Sequence, residues 1–136
     1  MNLIVCLDDR LGMAFNRRRQ SRDRLVTEDI ARTVGKGPLR MAAYSRTLFE
    51  AYPELPCVGE DFLSGAKEGD WVFLEDRPLG DRADRLRRLV IYRWNRHYPS
   101  DLTFDLDPLR EGFRLTERTE FGGYSHETIT KEIFER

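Results

Sequence analysis

Cysteine, histidine and lysine are scarce in this 136-residue chain, which has two cysteines, two histidines and three lysines. Cys6 and Cys57 are too few for a disulfide scaffold, and Cys6 lies in an apolar run, which is typical of a buried hydrophobic side chain. His97 and His126 are far apart and match neither metal-ligand nor catalytic-triad spacing. We therefore predict no metal site, and we expect His126 on an exposed face.

Long hydrophobic runs and an excess of either charge are also missing. No segment approaches the roughly 20 apolar residues of a membrane span, and the N-terminal apolar run covers only residues 3–7. Lys and Arg total 23 against 24 for Asp and Glu, which argues against a dedicated nucleic-acid binder because such folds carry a basic excess. We expect a single domain over residues 1–136, located in the cytoplasm, without membrane or nucleic-acid partners.

The chain does contain enough apolar residues for a hydrophobic core, since they make up 40% of it. Charged residues make up 35%, which predicts a strongly ionic surface. Residues 3–7 form a continuous apolar run that predicts a strand buried on both faces. Residues 16–24 hold five arginines and predict an exposed loop. A helix is then predicted, with Thr27 as its N-cap and Gly35 at its end.

The remaining two-thirds of the chain predicts a helix, several strands and a hairpin. Apolar residues recur at helical spacing over 39–52, and a short helix is predicted over 60–67. Further strands are predicted over residues 71–74, 88–95 and 102–106, a helical turn over 81–87, and a hairpin of 113–121 and 124–134 that turns near Gly122 and Gly123. This order predicts an α/β fold with a mixed sheet whose last strand is antiparallel.

Several segments resemble the dihydrofolate reductase family, among them residues 35–41, which are similar to the segment that leads into its cofactor-binding helix. Residues 3–13 are similar to its opening strand and Gly-containing loop, residues 27–30 to its Pro-Glu-Asp-Leu segment, and the C-terminal hairpin ends in the family's aromatic-Glu-Arg sequence at Phe134. The resemblance implies a dihydrofolate-reductase-like mixed sheet with an antiparallel C-terminal hairpin. It also implies a reduced cofactor-binding half, because only residues 51–70 stand where the family has about four further elements.

The resemblance also implies site residues. Asp29 is the candidate substrate carboxylate and catalytic group, although acids in a first helical turn are ordinary without any function. Substrate contacts would come from Cys6, Leu7, Asp29, Met41, Phe49 and Tyr92, the last standing where the family has a Thr that braces the carboxylate. Cofactor contacts would come from Gly12, Met13 and Ser45.

NADPH itself is implied only by the resemblance, since the residues that hold it differ. Ala42 and Ala43 replace the family's Gly-Arg, which removes the arginine that grips the 2′-phosphate. Glu75 and Asp76 replace the Gly-Gly turn that approaches the pyrophosphate, and like charges repel there. Each lost charged contact costs roughly 1.5–3 kcal/mol, so together they predict much weaker cofactor binding.

Three functions remain open from the sequence. The first is a dihydrofolate-reductase-like protein with a degraded NADPH site that binds a small pterin-like ligand or a partner without catalysis. The second is an active NADPH-dependent reductase that uses the arginines of residues 17–24 for phosphates. The third is a protein-interaction module; a homodimer is a further alternative, since a shortened sheet would expose an edge strand.

Overall fold

The computed structural model describes residues 1–136. It contains ten strands, one α-helix and two 3-10 helices. The strands are β1 Asn2–Leu7, β2 Gly12–Phe15, β3 Arg18–Arg19, β4 Leu39–Met41, β5 Pro56–Val58, β6 Trp71–Phe73, β7 Arg88–Arg93, β8 Leu102–Thr103, β9 Arg114–Phe121 and β10 Ile129–Glu135. The α-helix, α1, is Arg24–Val34, and the 3-10 helices are Ala43–Phe49 and Ala83–Arg85.

Seven strands form one mixed sheet in the order β5-β4-β6-β1-β7-β10-β9, and β3-β2-β8 form a small second sheet. The strands from β5 to β7 are parallel, whereas β10 pairs antiparallel with both β7 and β9. The chain is therefore an α/β protein with an antiparallel C-terminal hairpin, as predicted. The turn of this hairpin spans residues 122–128 and is longer than the glycine pair suggested.

Strand β1 forms the centre of the large sheet because it is apolar on both faces. Leu3, Val5 and Leu7 pack into a hydrophobic cluster on one side of the sheet. Ile4 packs into a second cluster on the other side, and Cys6 lies against it. β6 and β7 flank β1 in parallel, so its backbone is paired along both edges. The strand predicted over 3–7 is confirmed.

Helix α1 covers the second cluster with Val26 and Ile30. Its N-cap is Asp23, whose side chain accepts a hydrogen bond from the backbone N–H of Leu25. The prediction of Thr27 as N-cap is wrong, because the Thr27 hydroxyl donates back to the carbonyl of Asp23 inside the first turn. The helix ends at Gly35, as predicted; its φ of 72° favours glycine.

The helix predicted over residues 39–52 is wrong. Residues 39–41 are β4, and only Ala43–Phe49 is helical, as a 3-10 helix. Met41 and Phe49 are both buried, as a helical face would require, but β4 lies between β5 and β6 and supplies backbone partners to each. A helix at residues 39–41 would leave the backbone N–H and C=O groups of β5 and β6 that pair with β4 without partners. The short helix predicted over 60–67 is also wrong, since this segment forms turns.

The other predicted elements are confirmed within a few residues: the strands at β6, β7 and β8, the helical turn at Ala83–Arg85, and both hairpin strands. Loops rather than a second long helix cover the first hydrophobic cluster, through Phe62, Leu79, Phe104 and Phe113. No helix has the length and apolar character that crossing a membrane requires.

Candidate functional site

The candidate site lies where β6, β1 and β7 end, beneath the loop that precedes α1. A cavity of about 20 Å³ remains there, enough for about one water molecule. Ligand sites in open α/β sheets favour this end of the strands. The lining combines apolar residues with polar ones: Cys6, Met13, Arg19, Gln20, Ser21, Arg22, Asp23, Val26, Thr27, Ile30, Leu48, Phe73, Glu75 and Trp94.

One wall of the cavity is a paired arginine and glutamate. Arg19 donates from Nη2 to Glu75 Oε1 at 2.8 Å and from Nε to Oε2 at 3.1 Å. Ser45 adds a third hydrogen bond to Glu75, at 2.8 Å. The Arg19 guanidinium also stacks on the ring of Tyr44, 4.4 Å from its centroid. The positive charge of Arg19 compensates the negative charge of Glu75, and the hydrogen bonds fix both side chains.

These contacts correct two expectations. Residues 16–24 are not wholly an exposed loop, because the Arg19 side chain is only 15% exposed and Asp23 is buried. Glu75 and Asp76 also do not present two free negative charges. Glu75 is paired with Arg19, and Asp76 is paired with Arg77 at 2.9 Å.

A second polar cluster joins the loop before α1 to the turn of the C-terminal hairpin. Asp23 Oδ2 lies 2.9 Å from His126 Nδ1. On the other side of the ring, Nε2 lies 2.9 Å from Ser21 Oγ and 3.0 Å from the Tyr98 hydroxyl. The imidazole stacks on Trp94 with a centroid distance of 4.6 Å. The expectation that His126 is exposed is wrong: it is 4% exposed.

Asp23 is held in the ionised form. Burial alone would raise the pKa of this carboxyl. Hydrogen bonds from the backbone N–H of Tyr124, from the His126 ring and from further backbone N–H groups outweigh that effect and hold the pKa well below its usual range. An ionised Asp23 can only accept, so His126 Nδ1 donates to it, and Nε2 is the nitrogen that can accept when the ring carries a single proton.

Gln20 closes the cavity on the side of β2. Its Nε2 donates to Asp8 Oδ2 at 2.9 Å and to the carbonyl of Pro99 at 3.2 Å. Its Oε1 is buried and has no hydrogen-bond partner. Gly12 donates its N–H to Asp8 at 2.7 Å, and a Cβ on Gly12 would lie 2.5 Å from the Gln20 amide. The unpaired Oε1 of Gln20 can accept a hydrogen bond that no group of the protein donates.

Asp29 and Tyr92 are in contact, at the edge of the interface between α1 and the sheet. The Tyr92 hydroxyl donates to Asp29 Oδ2 at 2.6 Å, and Lys131 Nζ lies 2.8 Å from the same oxygen. Burial would raise the pKa of Asp29, but hydrogen bonds from Lys131, Tyr92 and Arg32 hold it below its ordinary value. Burial and the neighbouring Asp29 raise the pKa of Tyr92.

The residues that the resemblance assigned to the substrate do not form one wall. Cys6 lines the cavity, whereas Met41, Phe49 and Tyr92 belong to the hydrophobic cluster beneath α1. Leu7 lies in the cluster on the opposite side of the sheet, since neighbouring strand residues face opposite ways. Cys6 is partly buried, and burial raises the pKa of its thiol, so it is a poor nucleophile.

The residues assigned to the cofactor have other contacts in this structure. Met13 lines the cavity with a side chain that is 3% exposed. Gly12 is enclosed by Asp8 and Gln20, and Ser45 is bound to Glu75.

Reasoning from the sequence missed Ser21, Asp23 and His126, and it considered Arg19 only as one of the arginines of residues 17–24. Asp23 carries a usable signal, since an Asp directly before an amphipathic segment is a good N-cap. The others carry none, because the acid or base that each one contacts lies 56 to 105 residues away in the chain.

No family model matches this chain, and no curated protein matches it significantly. No group of three or more His, Cys, Asp or Glu side chains is arranged to hold a metal ion.

Proposed function

We propose that this chain is a dihydrofolate-reductase-like protein that binds a small pterin-like ligand between the first strand and the helix, and that does not reduce it with NADPH. The observation that carries the proposal is the Arg19–Glu75–Ser45 cluster. Groups expected to meet a cofactor bind one another instead, beside a cavity that still has an unpaired acceptor at Gln20. This cavity now holds only about one water molecule, so the loop before α1 must move outward to admit a pterin ring.

The arrangement of the sheet supports the family resemblance. The first strand is central, a helix follows it on one face, and the chain ends in a long antiparallel hairpin. The contact between Asp29 and Tyr92 adds support, because the resemblance assigns these two positions to the substrate carboxylate and to the residue that braces it.

Ligand recognition by Asp29 is chemically reasonable. Its pKa is lowered, so it is an ionised acceptor that can bind an amidine-like ring edge. Cys6, which lines the cavity, pairs with Tyr92, which contacts Asp29, across β1 and β7. The cavity and the Asp29 cluster are therefore next to each other in the sheet. A ligand that reached Asp29 from the cavity would compete with Lys131 for the same oxygen.

Cofactor binding would require the Arg19–Glu75 pair to open. Both side chains are largely buried, so separating them would leave each charge buried without a partner, which is unfavourable. Asp76 is already paired with Arg77 and offers no donor to a phosphate. These contacts support loss of the NADPH site rather than its repair.

A thermal-shift titration tests the proposal. Dihydrofolate or methotrexate should raise the Tm by several degrees at 100 times its Kd, since such binding adds about 2.7 kcal/mol. NADPH should give no shift. The D29N variant should lose the response to the pterin ligand, whereas E28Q, at an exposed acid on the same helix, should keep it.

Other outcomes favour the other functions. A shift with sub-millimolar NADPH would contradict the proposal and support an active reductase with a rebuilt cofactor site. No shift with any ligand would also contradict it and would favour an interaction module. An unchanged response in D29N would remove Asp29 from the site.

A further inference from the structure

We propose that Ser21, His126 and Asp23 form a nucleophilic triad that cleaves esters of short-chain acids. The three side chains lie in one line of hydrogen bonds, with Asp23 Oδ2 2.9 Å from His126 Nδ1 and His126 Nε2 2.9 Å from Ser21 Oγ. Nucleophile, base and orienting acid are recognised by this geometry and not by sequence order. The activity goes beyond pterin binding and does not depend on it.

The orienting half of the triad is rigid. Asp23 is buried, is ionised, and accepts from the backbone N–H groups of Tyr124 and Ser125 as well as from His126. The His126 ring stacks on Trp94 with an interplanar angle of 23°. These contacts fix the ring and its tautomer before any substrate arrives, which is the condition for efficient general-base action.

The nucleophilic half is accessible. Ser21 is partly exposed and lines the cavity, whereas His126 and Asp23 are buried behind it. The Tyr98 hydroxyl lies 3.0 Å from Nε2 and can donate to Ser21 Oγ at 3.3 Å. When Tyr98 donates to Oγ, the Ser21 proton is directed to Nε2, as nucleophilic attack requires.

A purely structural cluster would not need the serine. Asp23 alone already joins the loop to the hairpin turn through its bonds to residues 124–126, so the bond from Ser21 to His126 is not needed to anchor the turn. The Ser21 hydroxyl bonds only to the two groups that can take its proton or stabilise its oxygen, His126 and Tyr98.

The reaction balances with water as the only co-reactant. Ser21 Oγ attacks the ester carbonyl carbon while its proton passes to His126 Nε2. The carbon–oxygen bond to the alcohol then breaks, and the alcohol takes that proton. Water, deprotonated by Nε2, attacks the acyl-serine, and the proton returns to Oγ as the acid leaves.

The cavity limits the substrate. Its volume of about 20 Å³ admits a group of about the size of a methyl, so the acyl group must be formyl or acetyl and the alcohol must extend outward past the partly exposed Ser21. Val26 and Thr27, in the first turn of α1, also line the cavity.

Labelling with a small alkyl fluorophosphonate, followed by intact-mass analysis, tests the nucleophile. Wild type should gain one adduct, and so should S64A, which changes an exposed serine outside the site. S21A should gain none, and H126Q should react about 100-fold more slowly because the general base is lost. No adduct in folded wild type, or an adduct that persists in S21A, would overturn the proposal.

The S21C variant provides a second test that survives a loss of stability in H126Q. If His126 acts as a base, the new thiol should ionise at least one pH unit below the ordinary value of about 8.5. Its iodoacetamide alkylation is measured against pH, with exposed Cys57 as the reference in the same molecule. An alkylation profile that coincides with that of Cys57 would contradict the triad.

Discussion

Asp23 and His126 lie 103 residues apart, yet one carboxylate oxygen of Asp23 meets both the backbone N–H and the ring Nδ1 of His126, at 3.1 and 2.9 Å. The same carboxylate caps α1 through Leu25. A single side chain therefore fixes the start of the helix and the turn before β10.

Gly123 allows this approach, so G123A should destabilise the fold. A Cβ there would lie 2.6 Å from Asp23 Oδ2 and 2.8 Å from the carbonyl of His126. We expect a loss of about 1–3 kcal/mol in the free energy of unfolding, measured by urea denaturation. G122A is the matched control, since its Cβ meets nothing closer than 3.8 Å. Equal effects in the two variants would contradict this explanation.

Acid should weaken the protein through Asp23. Its pKa is depressed in the folded state, so its contribution is present above the unfolded value of about 3.9 and is lost as pH falls toward the folded value. D23N should cost about 2 kcal/mol at pH 7. It should also flatten the dependence of unfolding free energy on pH below 4. A slope as steep as that of wild type would assign the acid sensitivity to other carboxylates.

Breaking the Arg19–Glu75 pair should be costly. R19M leaves the buried Glu75 carboxylate without its guanidinium, and we expect a loss of roughly 3–5 kcal/mol in chemical denaturation. R18M, at the exposed neighbouring position, should change stability by less than about 0.5 kcal/mol. In the double variant R19M/E75M the cost should fall below the sum of the single costs. Additive costs would show that the pair is not coupled.

The two cysteines should differ sharply in reactivity. Cys57 is exposed on β5, whereas Cys6 is partly buried and the pKa of its thiol is raised by burial and by Glu75. A disulfide reagent such as DTNB at pH 8 should titrate one thiol in the native protein and two after denaturation. The C57A variant should show no native reaction. A fast reaction of native C57A would mean that the loop over the cavity opens readily.

Residue type and spacing along the chain were sufficient to predict the elements that do not depend on a particular tertiary contact. The apolar run at β1, the strand at β7 and the glycine that ends α1 all follow from residue type and spacing. The α/β class and the antiparallel hairpin follow from their order. Residues 39–41 were assigned to a helix because a short apolar segment with Met41 and Phe49 fits either period, and only its place between β5 and β6 makes it a strand.

The candidate site was much less predictable. The contact between Asp29 and Tyr92 joins two residues that the family resemblance had assigned to the substrate. Arg19 was expected in solvent and His126 on an exposed face, because an arginine run and a lone histidine are usually solvated. Both are largely buried, since each meets an acid from a distant segment that offsets the cost of desolvation.

The sequence by itself determined where the chain could bury a strand and where it had to turn, because those properties depend on neighbouring residues. Only the tertiary structure decided which charges are neutralised and which histidine nitrogen can accept a proton. Glu75 meets Arg19 across 56 residues, and His126 meets Ser21 across 105. Such pairings depend on how the strands assemble, and spacing along the chain carries no record of them.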